Sequence, residues 1–196
     1  MTELTVKKRF LDTAIDTIIT GCKNNELQSQ KKLYQLFYPE MIKICCRYAG
    51  DMDGAGIIYN NAMLRIFKNI SHYSEQGKIS SWIKTIVINC SIDFCKKKDV
   101  FKYVVEDSHA GDISLQPAVF DHVSGKEIQK IIAQLPKATS TVFNMFIYDG
   151  YTHRQIAEIL CISEGTSKWH VSEAKRLLKS TFETIVEIQP KTNAAG

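Results

Sequence analysis

Tyr151-Thr152-His153-Arg154-Gln155-Ile156-Ala157-Glu158-Ile159-Leu160-Cys161-Ile162-Ser163-Glu164-Gly165-Thr166 reads as a short helix, a tight turn and the opening of a second helix. Ile156, Ala157 and Leu160 put an apolar face on the first helix, and the small Ala157 lets the next helix cross closely. Ile162 plugs the turn, Ser163 is a natural N-cap, and Thr166 falls in the first turn beyond it. Val171, Ala174 and Leu178 then recur at helical spacing as a buried stripe. That stripe is expected to leave Lys168, Trp169, His170, Ser172, Lys175 and Arg176 facing outward. A cationic, hydrogen-bonding helix face of this kind suits a major groove. Helix pairs with a three-residue turn also occur in proteins that never touch DNA, so the rest of the chain has to decide.

Four short helices are expected at this end of the chain. The first runs through Ile128, Ile131, Ile132 and Leu135 and is ended by Pro136; the second runs from Thr139 to Tyr148 and stops at Asp149-Gly150. Thr152 to Leu160 and Ser163 to Thr181 complete the set. Upstream, residues 99–125 lose all periodicity, hold Gly111 and Pro117, and exceed the usual loop length of about 12–15 residues. They read as a flexible linker. The N-terminal half shows helical spacing over Asp12 to Cys22, and again from Ser29 to Tyr48, where Pro39 predicts a kink or a break. Gly50 to Gly56 is loop-like at its start, and helical spacing resumes from Ile57 to Ile70. After the polar Ser71 to Ser81, a regular helix from about Ser81 to Lys98 carries Trp82, Ile83, Ile86, Val87, Cys90 and Phe94 on its apolar side.

No strand pattern competes, and no internal repeat is visible. The expected fold is all-α: two small helical bundles joined by an acidic linker, the second containing the helix-turn-helix. The expected organisation is a polar tail at 1–10, a helical domain at 11–98, the linker at 99–125, a second helical domain at 126–184 and a tail at 185–196.

Composition narrows the functional classes. Hydrophobic residues make up 44% of the 196, enough to bury a core. No apolar run approaches the roughly 20 residues that cross a bilayer, and Met1 to Phe10 is polar and basic. A cytoplasmic protein that is not membrane-inserted is expected. The six cysteines, at 22, 45, 46, 90, 95 and 161, form no C-x-x-C pair and no zinc-finger spacing with histidine. They read as reduced, buried thiols. His72, His109, His122, His153 and His170 share no metal-ligand spacing, and no glycine-rich phosphate loop occurs. No catalytic site, metal or cofactor is expected, and His170 is the one histidine placed on the DNA-facing helix. Net charge is only +4, but it is unevenly spread: 15 Lys+Arg against 9 Asp+Glu over 1–98, 1 against 5 over 99–125, and 9 against 7 over 126–196. Two basic blocks flanking an acidic connector suggest separate surfaces for separate partners.

The whole pattern resembles the σ70 superfamily of bacterial RNA polymerase initiation factors, in its small extracytoplasmic-function type. In the first half the resemblance is carried by Gly21-Cys22, Leu33-Tyr34, Met41, Cys45, Arg47-Tyr48, Arg65-Ile66-Phe67, Trp82-Ile83, Ile88-Asn89 and Asp93-Phe94. In the second it is carried by Leu135-Pro136, Val142-Phe143-Asn144, Gly150-Tyr151-Thr152, Gln155-Ile156-Ala157 and Ile162 to Lys168. The resemblance implies a first domain that binds the polymerase clamp and captures an unstacked base of the −10 promoter element. Tyr73 to Ser81 matches the base-capturing loop and Trp82 to Lys98 the helix facing the melting duplex. Tyr73, Lys78, Lys84, Asn89, Lys96, Lys97 and Lys98 are the candidates there, with Trp82 read as core. It also implies a second domain that reads the −35 element through Thr166, Lys168, Trp169, His170, Ser172, Lys175 and Arg176. The linker would thread the polymerase's RNA exit path.

Asp51, Asp53, Asn60, Asn61 and Arg65 are the candidates for core binding. This stretch departs from the family pattern. Asn60 and Asn61 stand where a Gln-Glu pair is usual, and Gly56 and Ile57 replace acids. The expected partners are RNA polymerase core, promoter DNA and, by resemblance, an anti-sigma factor; the free protein is expected to be monomeric. The alternative is a stand-alone helix-turn-helix regulator that does not depend on polymerase core.

Overall fold

The computed structural model describes residues 14–74, 78–97 and 131–188, with side chains up to Thr181. The tail at 1–10, the linker at 99–125, Lys98, His109 and His122 lie outside the described residues. The chain divides into two compact units between Ser91 and Ile92. Among the described residues every regular element is helical, and no helix is long and apolar enough to cross a membrane.

In the first unit α1 covers 14–23 and buries Ile19 and Cys22. Asn25 then takes the left-handed conformation (φ 60°), which asparagine tolerates after a helix end. Helix α2, Leu27–Ala49, starts two residues earlier than the spacing predicts and runs through Pro39 without a break. The reason is position: Gln35, whose carbonyl loses its Pro39 partner, and Pro39 itself both face solvent, where water can satisfy the carbonyl. Gly50 ends α2 at φ 88°, its N–H returning to the Cys46 carbonyl at 2.9 Å.

Helix α3, Met52–Asn69, begins five residues before the expected Ile57. Asp51 accounts for the difference. Its backbone is extended and its Oδ1 accepts the Gly54 N–H at 2.6 Å, an N-cap worth about 1 kcal/mol. Ala55 and Ile58 are buried, so packing adds to the cap and together they outweigh helical glycines that each cost about 1 kcal/mol. A 3₁₀ turn, Ile70–His72, follows, and then α4, Ile79–Lys97. Helices α2 and α3, joined through Gly50-Asp51, form a hairpin whose interior holds Leu33, Phe37, Met41, Tyr48, Tyr59, Met63 and Ile66. Cys45 and Cys22 are buried with it, and burial pushes their thiols up to about 12 and about 11, so neither is a reactive thiolate.

In the second unit α5 is described at 131–133, followed by α6, Lys137–Phe143. Helix α6 starts directly after Pro136, two residues before the expected Thr139, and its last turn widens into a π-helix, Asn144–Tyr148. The Asp149 N–H closes that wider ring on the Asn144 carbonyl at 3.1 Å, and Gly150 leaves it at φ 75°. Helix α7 is His153–Leu160 and α8 is Glu164–Ile188, seven residues longer than the expected end at Thr181. Ile131, Ile132, Leu135, Phe143, Ala174 and Leu178 form one core cluster.

Candidate nucleic-acid interface

The helix-turn-helix is fixed at both of its starts by side chains. At α7 the Thr152 Oγ1 accepts the Gln155 N–H at 3.2 Å, and the Gln155 Oε1 accepts the Thr152 N–H at 2.9 Å, a complete capping box. Cys161 turns the chain at φ 57°. At α8 the Ser163 Oγ accepts the Thr166 N–H at 2.9 Å, the N-cap that the sequence predicts. Ile156, Leu160, Val171, Ala174 and Leu178 are buried, as their spacing requires. Cys161 is exposed, contrary to the reading of it as a buried thiol, because the left-handed turn residue lies off the apolar face of α7.

On α8, Lys168 and Arg176 are exposed, and Thr166, Trp169, Ser172 and Lys175 are half-buried. Arg176 already has a partner: its Nε and Nη2 each donate to a Glu173 carboxylate oxygen at 2.7 Å. That pairing holds the Glu173 carboxyl below its ordinary range. His170 does not face outward. It is 2% exposed, its Nδ1 lies 3.0 Å from the Thr139 Oγ1 of α6, and burial pushes it down to about 4. The buried arc of α8 is wider than the stripe read from Val171, Ala174 and Leu178. It takes in Ser167 and His170, which flank that stripe at helical spacing. His170 is therefore a neutral core group and not part of the outward face of α8.

His153, for which no role was expected, is half-buried at the α7–α8 junction. Its ring stacks on Phe146 at 4.3 Å and its Nδ1 lies 2.9 Å from the Ser167 Oγ. No feature of the spacing marks that pair, because both partners are polar and fourteen residues apart.

In the first unit the residues flanking the start of α4 and its first turns border an open hollow of about 370 Å³. Its walls are His72, Tyr73, Ser74, Lys78, Ser81, Trp82 and Thr85. Two of the predicted residues, Tyr73 and Lys78, are brought together there. Tyr73 is largely buried, with its ring 5.4 Å from that of Trp82. Trp82, read as core, is half-buried and lines the hollow, and His72, Ser74, Ser81 and Thr85 were not singled out. Lys84, Asn89, Lys96 and Lys97 are exposed. Helical phase places Asn89 on the face of Trp82 and Thr85, with Lys84 about a quarter of a turn from Thr85 and nearly half a turn from Trp82.

The candidate core-binding residues lie on or beside α3. Asp51 spends one carboxylate oxygen on its cap, Asp53 is exposed in the first turn, and Asn61 and Arg65 are exposed. The Asn60 Oδ1 accepts from the Tyr34 hydroxyl at 3.0 Å, and the Tyr59 hydroxyl donates to the Tyr34 carbonyl at 2.7 Å. Ile57 and Leu64 are 54% and 68% exposed at helical spacing on the same face as Asn60 and Asn61. That face presents apolar and amide groups where acids were looked for. Among the described residues no group of histidine, cysteine and acidic side chains is arranged to hold a metal ion.

Residues 33–100 match the family model for Sigma-70 region 2, and residues 125–178 match that for Sigma-70, region 4. The ECF RNA polymerase sigma factor SigW of Bacillus subtilis (strain 168) is 25% identical over 196 residues, covering 93% of this chain and all of that protein. The RNA polymerase sigma factor SigZ of the same organism is 25% identical over 126 residues, 64% of this chain and 71% of the relative. Among solved structures, the sigma factor RpoE in complex with the anti-sigma factor NepR from Bartonella quintana aligns with a TM-score of 0.47 at 16% identity. That alignment covers 78% of this chain and 96% of that one.

Proposed function

Since this chain belongs to the sigma-70 family, in its extracytoplasmic-function type, we propose that it binds RNA polymerase core and directs it to promoters with the two surfaces described above. It is a polymerase-dependent, promoter-specific initiation factor, and the family is non-enzymatic. In this reading α8 enters the −35 major groove, with Lys168, Trp169 and Ser172 toward the bases and Lys175 and Arg176 toward phosphates. The hollow beside Trp82 takes the unstacked −10 base, with aromatic walls for its face and the hydroxyls of Ser74, Ser81 and Thr85 for its edge. Asn89 and the lysines of α4 then lie along the displaced strand. The exposed side of α3 docks on core. A cytoplasmic location and control by an anti-sigma partner belong to the same proposal.

The observation that carries this reading is the match of both regions, in order, on one chain whose second half builds a doubly capped helix-turn-helix. The test is retention of purified bacterial core polymerase by the tagged full chain at moderate salt, followed by promoter-dependent transcription. Stoichiometric retention supports the reading. Duplex binding without retention favours a stand-alone regulator, with the non-acidic face of α3 as the cause.

A further inference from the structure

His153 opens α7 with little rotational freedom. The stack on Phe146, with ring planes 16° apart, fixes the plane of the imidazole, and the bond to Ser167 fixes which edge faces inward. Ser167 is fully buried, so Nδ1 faces protein, and Nε2 makes no hydrogen bond among the described residues. Two lysines of α8, Lys168 and Lys175, act on the ring as like charges, and Glu164 acts as the opposing one. From the π-helical turn the facing group is the uncharged Phe146, and on α7 itself Arg154 and Glu158 pair with each other at 3.3 Å. Burial, with the two lysines, holds the imidazole below its ordinary range and hence neutral at pH 7. A positioned donor at the start of α7 is thus acted on by two cations and one carboxylate of α8.

In helix-turn-helix docking the first helix crosses the DNA backbone while the second lies in the groove. We propose that His153, Lys168 and Lys175 together seat one backbone phosphate of the bound duplex, and that His153 takes up a proton as the phosphate arrives. This rests on the reading of α8 as a duplex-binding helix. With Ser167 donating to Nδ1, the neutral ring presents Nε2–H to a phosphate oxygen. The phosphate brings negative charge against a ring that the lysines had kept neutral, so the imidazolium is favoured in the complex. The added proton comes from solvent and goes to Nδ1. Ser167 accommodates it by rotating its hydroxyl from donor to acceptor, so the inner bond survives in both states. Duplex affinity then rises as pH falls, by at most about tenfold per pH unit for one proton.

The experiment measures binding of the full chain to a short random-sequence duplex by fluorescence anisotropy at pH 6 and pH 8, over a range of salt. Phosphate contacts need no particular sequence. For the wild type, affinity should be higher at pH 6, and the slope of log K against log salt should be steeper there by about 0.9, one phosphate contact. His153→Gln should remove both pH effects, and His153→Lys should bind tightly at both pH values. Equal pH dependence in the wild type and His153→Gln overturns the proposal while leaving α8 on DNA. A chain that is folded by circular dichroism yet binds duplex at neither pH, alone or in complex with core polymerase, overturns the duplex-binding reading as well.

Discussion

His170 gives the most direct quantitative consequence of the fold. Its ring is buried between α8 and α6, with Nδ1 on Thr139 and Nε2 buried without a hydrogen-bond partner among the described residues. Such a site accepts the neutral ring and disfavours the cation. In the folded chain the imidazole titrates near pH 4, against 6.5 when exposed. The unfolded chain therefore binds the proton first, and stability falls as pH drops through the window between those two values. Stability from this group is complete above pH 6.5, is reduced by about 2 kcal/mol at pH 5, and by about 3 kcal/mol at pH 4. Against the ~5–15 kcal/mol of an ordinary small domain, that is a substantial fraction.

The assay is urea denaturation at pH 7, 6 and 5, followed by the emission of Trp169, whose ring lies 4.9 Å from that of His170. A Trp82→Phe background removes the other indole. His170→Gln keeps a polar group for Thr139 but does not titrate, so its stability should vary with pH only through groups shared with the parent. The difference between the two profiles should change by about 2 kcal/mol from pH 7 to pH 5. Parallel profiles would show that the imidazole is not buried neutral, and the placement of α8 against α6 would fall with that result. His170→Asn serves the same comparison should Gln pack poorly.

Three further outcomes follow from named contacts. Glu173→Ala should tighten duplex binding and steepen its salt dependence, because it frees the Arg176 guanidinium for a phosphate; an unchanged salt slope in an anisotropy titration would take Arg176 out of the interface. Asp51→Ala should lower stability by about 1 kcal/mol in chemical denaturation by removing the cap on Gly54, and no loss would mean that packing alone starts α3. Gly56→Glu with Asn61→Glu should tighten core-polymerase binding and make it salt-sensitive; there is open space around Gly56 for the new side chain, so an unchanged affinity would mark the missing acids as irrelevant.

What was legible in the sequence was whatever a period of 3.6 residues carries. Val171, Ala174 and Leu178, and Ile156 with Leu160, announced both the existence of α7 and α8 and the faces they bury. Ser163 announced its cap because capping chemistry is local. Periodicity failed where a polar side chain decides the outcome through a partner far along the chain. At α3 the cause was local instead: Gly54 and Gly56 masked a helix start that the Asp51 cap and the burial of Ala55 secure. His170 reads as surface because it is polar, and no spacing marks Ser167 as buried. They are buried because Thr139 and His153, thirty-one and fourteen residues away, supply the hydrogen bonds that make burial tolerable. The same failure matters for function. A stripe of three apolar residues leaves an outward arc that looks broad enough for six contacts, and the burial of His170 narrows it to five. Of those six, Lys168, Trp169, Ser172, Lys175 and an Arg176 held by Glu173 remain outward. A recognition surface of that size has few groups to spend on bases, so its grip on DNA has to come largely from phosphates. The junction of α7 with α8, where the charges of Lys168 and Lys175 act on His153, is where a phosphate would find the charge to do it.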